Sequence, residues 1–209
     1  MARPKKASTV ATKNDSFRFI GHNACLDFIN TEEKKSGKPF DLLRDFDDFV
    51  RWLACAKLFQ RDDLNSALEN SSPQDFRRIF EDALALRAAL GELATEIVEG
   101  RSIPQRALGV INRLIAIPLG TTKLIKTPRG FERQFQTVLK EPDQLLVPIA
   151  ESAAQLLCSG NFPRVKRCAN SECGAFFYDT SKNHGRRWCA ATGCGNRMRV
   201  AAYYERQRS

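Results

Sequence analysis

Four cysteines near the C-terminus of this 209-residue chain are spaced to hold a metal ion. Cys168 and Cys173 form one pair, Cys189 and Cys194 form the other, and four residues separate the members of each pair. Two short loops with two thiolates each can surround one tetrahedral ion, the geometry that zinc prefers. Four sulfurs leave no position for water, so we expect one structural Zn²⁺. His184 lies between the pairs and is a surplus candidate ligand.

The other cysteines, and the absence of long apolar segments, define the expected compartment. Cys25, Cys55 and Cys158 stand in apolar stretches, which predicts that they are small core residues. Clustered cysteines hold metal more often than disulfides in a reducing compartment. The N-terminus lacks the apolar core of a secretory signal, and no apolar run reaches the roughly 20 residues of a membrane span. The sequence therefore predicts a cytoplasmic protein with no membrane partner.

Positive charge is concentrated around the cysteines. Residues 164–209 carry ten Lys/Arg and three acids, whereas residues 19–163 carry 18 Lys/Arg and 20 acids. Four thiolates and one Zn²⁺ would lower the charge of the C-terminal segment by two, which leaves it basic. A near-neutral body with a positive end indicates a polyanionic partner.

DNA is the partner we expect for this basic segment. Arg199, Tyr203 and Arg206 follow each other at helical spacing and would share one face of a helix. Arginine binds phosphate with two parallel hydrogen bonds, and tyrosine can stack on a sugar or base. The alternative is an ordinary solvated charged face. The predicted DNA-binding residues are Lys182, Arg186, Arg187, Arg199, Tyr203, Arg206 and Arg208.

Asn196 and Arg197 follow the last cysteine directly. Arg197 can offset the negative charge of the thiolates and hydrogen-bond to sulfur, a supporting role at the metal. Alternatively, it reaches bases in a DNA groove. We favour the supporting role for both residues, because closeness to the thiolates limits their reach.

The upstream chain is expected to position this module. Residues 1–16 read as a flexible basic arm, and residues 17–160 as a mainly helical domain, here called the body. Apolar periodicity predicts a helix from Pro73 to about Gly100 and a helix from Asp45 to about Leu58. Pro128–Gly130 separates two alternating segments, which predicts a β-hairpin.

Residues 164–209, here called the finger, are expected to form an α+β module. Strands at 165–167 and 176–178 and a helix at 196–207 would surround the cysteine pairs, the arrangement of a treble-clef zinc finger. So few residues cannot bury enough apolar surface alone, and the ion must help to hold them. The predicted fold class is therefore α+β, with a helical body and a C-terminal zinc finger.

Three polar residues of the body fall among apolar neighbours: Asp27, Asn30 and Arg87. Burying them without partners would be costly. Either they satisfy one another, through an internal Asp–Arg pair, or they bind a small ligand whose anionic group contacts Arg87.

These residues resemble a known family. Cys168 to Arg197, ending in Cys194-Gly195-Asn196-Arg197, is similar to the CGNR-type zinc finger. Cys25-Leu26-Asp27-Phe28-Ile29-Asn30-Thr31 and the Trp52-Leu53 helix are similar to the ABATE domain. The resemblance implies a bacterial, stress-responsive transcription regulator. It further implies a body that binds an unknown ligand and a finger that contacts DNA.

Three classes of function remain open from sequence alone. A DNA-binding regulator is favoured, and homodimerisation would let it span two half-sites. An RNA- or protein-binding adaptor is the second class, because a basic finger suits RNA equally well. An enzyme is the third, and the chain contains no catalytic triad motif or cofactor loop to support it.

Overall fold

A computed structural model describes residues 17–35, 37–69 and 71–208, so the predicted basic arm at 1–16 lies outside the described residues. The described chain is α+β, with seven α-helices and three two-stranded antiparallel sheets. The helices are α1 Ala24–Ile29, α2 Phe46–Cys55, α3 Arg61–Leu68, α4 Pro73–Val98, α5 Gln105–Ile115, α6 Val147–Cys158 and α7 Asn196–Arg208. The strands are β1 Glu32–Lys35, β2 Lys38–Asp41, β3 Gly120–Thr127, β4 Gly130–Thr137, β5 Val165–Arg167 and β6 Phe176–Tyr178.

Helix α4 is the central element of the body, as the periodicity predicted. Ser72 caps it by accepting from the Asp75 backbone N–H, and the Asp75 carboxylate accepts in return from the Ser72 backbone. Pro73 occupies the first turn, where its missing N–H costs nothing. The 26 residues of α4 contact α1, α2, α5 and the first strand of the finger. The longest helix therefore connects the body to the finger.

The short helix α1 lies at the middle of the body core. Its residues Cys25 to Ile29 are all buried, and it packs against α4, α6 and β6. The Phe28 ring lies 4.9 Å from the Trp52 ring and 6.0 Å from the Phe49 ring, measured between centroids. All three side chains are 0–1% exposed. Aromatic packing between α1 and α2 thus fixes the position of α1.

Several predictions about the body need correction. Helix α2 ends at Cys55 rather than Leu58, because Lys57 adopts a left-handed backbone with φ of 57°. Cys25 is buried, but Cys55 and Cys158 are exposed, so their predicted core positions are wrong. Both are the last residues of their helices, where the apolar stripe no longer faces the core.

The predicted β3–β4 hairpin is confirmed. Its strands pair from Gly120↔Thr137 to Thr127↔Gly130, with Pro128 and Arg129 as the connection. Every residue of β4 is exposed, and most of β3 is exposed as well. The hairpin therefore projects from the body instead of covering it.

The finger is continuous with the body core. Val165 of β5 and Phe176 of β6 are buried in the same apolar cluster as α1, α4 and α6. Ala175, Phe177 and the four cysteines form a second, smaller buried cluster. Within the described ranges, no helix is both long and apolar enough to cross a membrane.

Candidate metal centre and cationic surface

The four cysteines that the sequence singled out converge on one point. Their sulfur atoms all lie within 4.8 Å of one another, and all four residues are buried. Sγ of Cys189 lies 3.6 Å from Sγ of Cys173 and 3.7 Å from Sγ of Cys194. Four thiolates at about 2.3 Å from a tetrahedral zinc are separated by roughly 3.8 Å. The donor set and its spacing therefore fit one structural Zn²⁺.

Two different loops present the two cysteine pairs. In the first, the backbone of Asn170 accepts from the N–H of Cys173 at 2.9 Å, and Gly174 takes a positive φ of 67° that closes the turn. In the second, Cys194 lies in one turn of π-helix, Ala191–Gly195, immediately before α7. Both loops turn tightly enough to direct two sulfurs inward.

Hydrogen-bond donors surround the sulfurs. The backbone N–H of Cys189 lies 3.5 Å from Cys168 Sγ, and Nδ2 of Asn170 lies 3.6 Å from Cys194 Sγ. The Arg197 guanidinium lies 3.3 Å from the same Cys194 sulfur. Such donors orient thiolate ligands and spread their negative charge.

The thiols are strongly coupled to one another. Hydrogen bonds from Cys173 and Cys189 hold the pKa of Cys168 well below its ordinary value. Hydrogen bonds to Cys168 and Cys173 raise the pKa of Cys189 far above its ordinary value. Four adjacent thiolates repel each other, so a cation is needed for all of them to be deprotonated together.

Asp179, which sequence reasoning missed, organises the turn between the cysteine pairs. Its carboxylate is 0% exposed and accepts from Lys166 Nζ at 2.7 Å, from both the N–H and hydroxyl of Ser181, and from the Arg186 N–H at 2.9 Å. Burial alone would raise the pKa of Asp179, but these hydrogen bonds outweigh burial and hold the pKa well below its usual range. The Asp-x-Ser turn was the only local signal for it.

His184 lies apart from the metal cluster. Its Nδ1 is 3.2 Å from the Arg164 guanidinium, and it has a positive φ of 48°. The group of side chains that could hold the ion consists of the four cysteines and does not include His184. The four thiolates thus form the ligand set without it.

Six of the seven predicted DNA-binding residues are exposed, and Arg186 is the exception. Its Nε donates to the Trp188 carbonyl at 2.9 Å, its Nη2 donates to the Cys189 carbonyl, and its guanidinium lies 4.6 Å from the Phe177 ring centroid. Arg186 therefore ties the second cysteine loop to the core of the finger. The exposed six are Lys182, Arg187, Arg199, Tyr203, Arg206 and Arg208.

Helix α7 has no buried residue over its 13 residues. Arg199, Tyr203 and Arg206 lie on one face, whereas Arg208 lies on the opposite face with Arg197, as 100° per residue requires. Tyr203 and Tyr204 are 54% and 60% exposed. Asn196, at the start of α7, is exposed as well. The helix therefore presents arginine and tyrosine to solvent on two sides.

Arg187 and Arg199 both lie near Trp188, beside the metal loop. The Arg187 guanidinium lies 5.5 Å from the Trp188 ring centroid. A Cβ added at Gly195 would lie 3.5 Å from both Arg199 Nη2 and Trp188 Cε3. Arg199 and Trp188 therefore both lie close to Gly195, at the end of the second cysteine loop.

The three polar residues of the body each have a partner within the chain. Asp27 Oδ1 accepts from the Gly21 N–H at 2.6 Å, and burial raises the pKa of Asp27 to about 6. Arg87 donates to Thr31 Oγ1 at 2.9 Å and forms its ion pair with Asp41, not with Asp27. The internal Asp–Arg pair of Arg87 thus uses an aspartate that the sequence did not single out.

Asn30 connects the body to the finger. Its Oδ1 accepts from the Phe176 N–H at 2.8 Å, and its Nδ2 donates to the Phe176 carbonyl at 2.7 Å. The Tyr178 N–H donates to the Gly21 carbonyl at 2.8 Å. Asn30 therefore continues the hydrogen bonding of β6 into α1.

A cleft of about 500 Å³ opens where body and finger meet. Body residues Asn30, Lys34 and Thr95 line one part, and finger residues Arg167 and Cys168 line another. The Arg167 guanidinium lies 4.8 Å from the Phe176 ring centroid. The cleft is therefore bounded by both units and adjoins the metal loop.

Comparison with known protein families gives two adjacent matches. The model of the ABATE family, described as "Putative stress-induced transcription regulator", matches residues 22–160. The model of the CGNR zinc finger matches residues 164–207. No curated protein in the comparison matches the chain.

Proposed function

The chain belongs to the ABATE family and ends in a CGNR zinc finger, and from this premise we propose that it is a transcription regulator that binds duplex DNA. The observation that carries the proposal is helix α7. An arginine-rich helix with no buried residue contributes little to the core of the described chain and presents its side chains to solvent. The major groove of DNA accommodates one α-helix, and arginine reads guanine and phosphate there.

The metal loop would hold α7 in place for this purpose. A zinc bound to Cys194 fixes the residue two positions before the helix, and Arg197 bonds back to the same sulfur. The order of cysteine loop, hairpin and helix supports a treble-clef arrangement. Zinc would then act structurally, by orienting the helix, with no part in chemistry.

The proposed DNA surface omits two residues of the set predicted by sequence, Arg186 and Arg208, and Arg208 is omitted because it lies on the face of α7 opposite Arg199. Lys182 lies in the turn between the cysteine pairs, Arg187 lies beside Trp188, and Arg199, Tyr203 and Arg206 share one face of α7; all five are exposed. Arg186 is left out, because its donors are used within the finger.

Fluorescence anisotropy with duplex DNA at 50 and 200 mM salt tests this proposal. Log affinity falls as log salt concentration rises, and each lost phosphate contact makes this fall shallower, by about 0.9 in the slope. We expect the triple variant Arg187→Ala, Arg199→Ala, Arg206→Ala to bind at least 100-fold more weakly at 50 mM salt, with a shallower slope. A matched triple on exposed body arginines, Arg77→Ala, Arg106→Ala, Arg113→Ala, should bind like the wild type. Equal losses in both triples would contradict a specific surface on the finger.

RNA is the second candidate polyanion, since exposed tyrosines such as Tyr203 also stack on unpaired bases. Competition between duplex DNA, hairpin RNA and single strands separates the two. We propose that duplex DNA competes best. Preference for RNA loops would assign the finger to an adaptor instead.

We further propose that the cleft between body and finger binds the regulatory ligand. A molecule in that cleft would touch Asn30 and the first cysteine loop together, and so alter the position of the finger. Arg87, the ligand residue suggested by sequence, is bound by Asp41 and Thr31. Substituting Arg167 by Ala should abolish any ligand-induced change in DNA affinity while DNA affinity without ligand is retained.

A further inference from the structure

A second cleft lies at the boundary between body and finger, and positive charge lines it. Its volume is about 450 Å³. The last turn of α4 and the segment after α6 form one wall, and β5 and the turn before Trp188 form the other. Of the residues that the structure describes, no acidic one lines this cleft, whereas four cationic ones do: Lys166, Arg167, Arg186 and Arg187. We call it the cationic cleft.

Two of these four cations are available to a ligand. Lys166 and Arg186 are occupied within the finger, by a carboxylate and by backbone carbonyls. Arg167 and Arg187 are exposed, and in the described part of the chain their guanidinium groups contact aromatic rings rather than hydrogen-bond acceptors or carboxylates. A ring contact orients a guanidinium but does not neutralise its charge. The cleft therefore contains two positive charges without a counter-charge.

The acidic residues that lie nearest along the chain to the apolar wall are already paired. Glu96 and Glu99, beside the last turn of α4, both form ion pairs with Arg101. They do not line the cleft. An anion in the cleft would therefore meet no competing carboxylate among the lining residues.

A backbone hydrogen bond joins the two segments that carry the available arginines. The Ala169 N–H, two residues after Arg167, donates to the Arg187 carbonyl at 2.9 Å. Both arginine side chains line the same cleft. A guanidinium binds a phosphate group through two parallel hydrogen bonds, and two guanidinium groups match the charge of a phosphate dianion. The finger side of the cleft thus fits a phosphoryl group.

The opposite wall is apolar. Val98, at the end of α4, is 37% exposed, and Ile97, Phe162 and Pro163 line the cleft as well. A phosphoryl group would avoid this wall, because the carbonyl end of α4 carries partial negative charge. An apolar or aromatic group would instead bury surface there. The cleft also has the size of a small-molecule site, for which roughly 300–1,000 Å³ is usual.

From these observations we propose that the cationic cleft binds a small organic phosphate. Arg167 and Arg187 hold the phosphoryl group, and the wall that contains Val98 and Phe162 contacts the apolar part of the molecule. A phosphate of the DNA backbone would use the arginines and leave the apolar wall exposed. The two walls together therefore fit a small molecule better than they fit DNA.

One consequence of this site rests on the proposed function. Arg187 also belongs to the proposed DNA surface, so a phosphate bound in the cleft withdraws one cation from DNA. The small molecule and DNA then compete, and each lowers the affinity of the chain for the other by the same factor. The organic phosphate thereby acts as a negative effector of DNA binding.

Isothermal titration calorimetry of the zinc-loaded full chain tests the site without DNA. The probe is phenyl phosphate at pH 7.5, above the second phosphate pKa of about 6. One molecule per chain should bind, at least tenfold more tightly than inorganic phosphate, which lacks the apolar part, and than benzoate, which lacks the phosphoryl group. A wild-type chain that binds no phenyl phosphate up to about 10 mM would overturn the proposal.

Substitutions assign the binding to this cleft. Arg167→Ala and Arg187→Ala should each weaken phenyl phosphate binding at least tenfold. Arg106→Ala, at an exposed arginine of α5, and Lys34→Ala, at a cation of the first cleft, should bind like the wild type. Equal losses in the two pairs of variants would show nonspecific attraction by charge, and the proposal would fail.

Val98→Ser tests the apolar wall. It should weaken phenyl phosphate binding at least threefold and leave inorganic phosphate binding unchanged, because only the phenyl ring reaches that wall. Equal effects on the two probes would refute a role for the wall. If inorganic phosphate binds the wild type as tightly as phenyl phosphate does, the cleft recognises phosphate alone, as a contact for the DNA backbone would, and the proposal is wrong.

Fluorescence anisotropy with duplex DNA tests the competition. At constant ionic strength, saturating phenyl phosphate should lower the DNA affinity of the wild type at least threefold and leave that of Arg167→Ala unchanged. An unchanged DNA affinity of the saturated wild type would contradict the competition. A chain that does not bind DNA at all would refute the proposed function, while the calorimetry would still decide whether the cleft binds the phosphate.

Discussion

The body and the finger are stabilised in different ways. The body buries a broad set of aliphatic and aromatic side chains, with Trp52, Phe28 and Phe49 among the largest. The buried cluster of the finger consists of Ala175, Phe177 and the four cysteines. Its apolar content is therefore too small to hold it, since a module of this size buries little surface. Most of the finger's stability must therefore come from the ion and from the contacts of the finger with the body.

The contacts with the body are specific. Val165 and Phe176 enter the body core, and Asn30 binds both backbone groups of Phe176. By contrast, α7 at the other end of the finger has no buried residue. One end of the finger is anchored in the body core, and the other end is a helix exposed to solvent.

Removal of zinc should have the largest effect. Structural zinc contributes about 10–16 kcal/mol of apparent binding free energy in small fingers. We expect a chelator, or the variant Cys173→Ser, to unfold the finger and also to lower the Tm of the body, because β5 and β6 complete the body core. Circular dichroism melts of the loaded and chelated protein measure this.

The exposed thiols Cys55 and Cys158 provide the matched control. The double variant Cys55→Ser, Cys158→Ser should bind one zinc per chain by native mass spectrometry and melt like the wild type. A body that melts at an unchanged temperature without zinc would show that the two units are independent.

Asn30→Ala should have the next largest effect. It leaves a buried N–H and a buried carbonyl of Phe176 without partners, and each such group costs about 1–3 kcal/mol. We expect urea denaturation to show a loss of about 2–4 kcal/mol. Asn112→Ala, an exposed substitution of the same type on α5, should change stability by less than about 0.5 kcal/mol.

Sequence alone was sufficient for the parts of the structure that depend on local spacing. The four ligands, helix α4 and the β3–β4 hairpin follow from short-range patterns. The contact of Asn30 with Phe176 joins residues 146 positions apart, and no local pattern encodes such a partner.

Two other differences between the sequence-based predictions and the structure, at Arg87 and at Arg186, also arise from contacts that no local pattern encodes. Asp41 rather than Asp27 pairs with Arg87, because β2 places it there. Arg186 and Arg187 are adjacent arginines that look alike in the sequence. Arg186 is set apart by its contacts with the Phe177 ring and with two backbone carbonyls, which only the structure reveals. Helix α3 escaped prediction because few of its residues are apolar.

The titration of Asp27 tests how burial of a polar residue affects the stability of the body. Its folded pKa of about 6 exceeds the ordinary value of 3.8, so the folded state binds the proton more tightly. The wild type should therefore gain stability as pH falls from about 6 to 4. Asp27→Asn keeps an acceptor for the Gly21 N–H, and should be more stable than wild type at pH 7 by about 1–3 kcal/mol. Equal pH dependence of unfolding in the two proteins would contradict this assignment.

Substitutions of Arg186 and Arg187 should have the smallest effects. Comparing them separates an arginine that stabilises the finger from one that contacts DNA. Arg186→Ala should cost about 1–2 kcal/mol of stability, through lost hydrogen bonds and ring contact. Arg187→Ala should change stability by less than about 0.5 kcal/mol and weaken DNA binding several-fold. Thermal melts and anisotropy on both variants measure the two effects. If Arg186→Ala is neutral in melts, its contacts do not support the finger.

Amide hydrogen exchange at Phe176 and Tyr178 tests most directly whether zinc anchors the finger to the body. Both N–H groups donate across the boundary, to Asn30 and to Gly21. With zinc, we predict that they exchange as slowly as the core amides of α4. After chelation, they should exchange at least 100-fold faster, while α4 amides around Leu86 and Leu90 stay protected. Unchanged protection of Phe176 and Tyr178 without zinc would contradict the account.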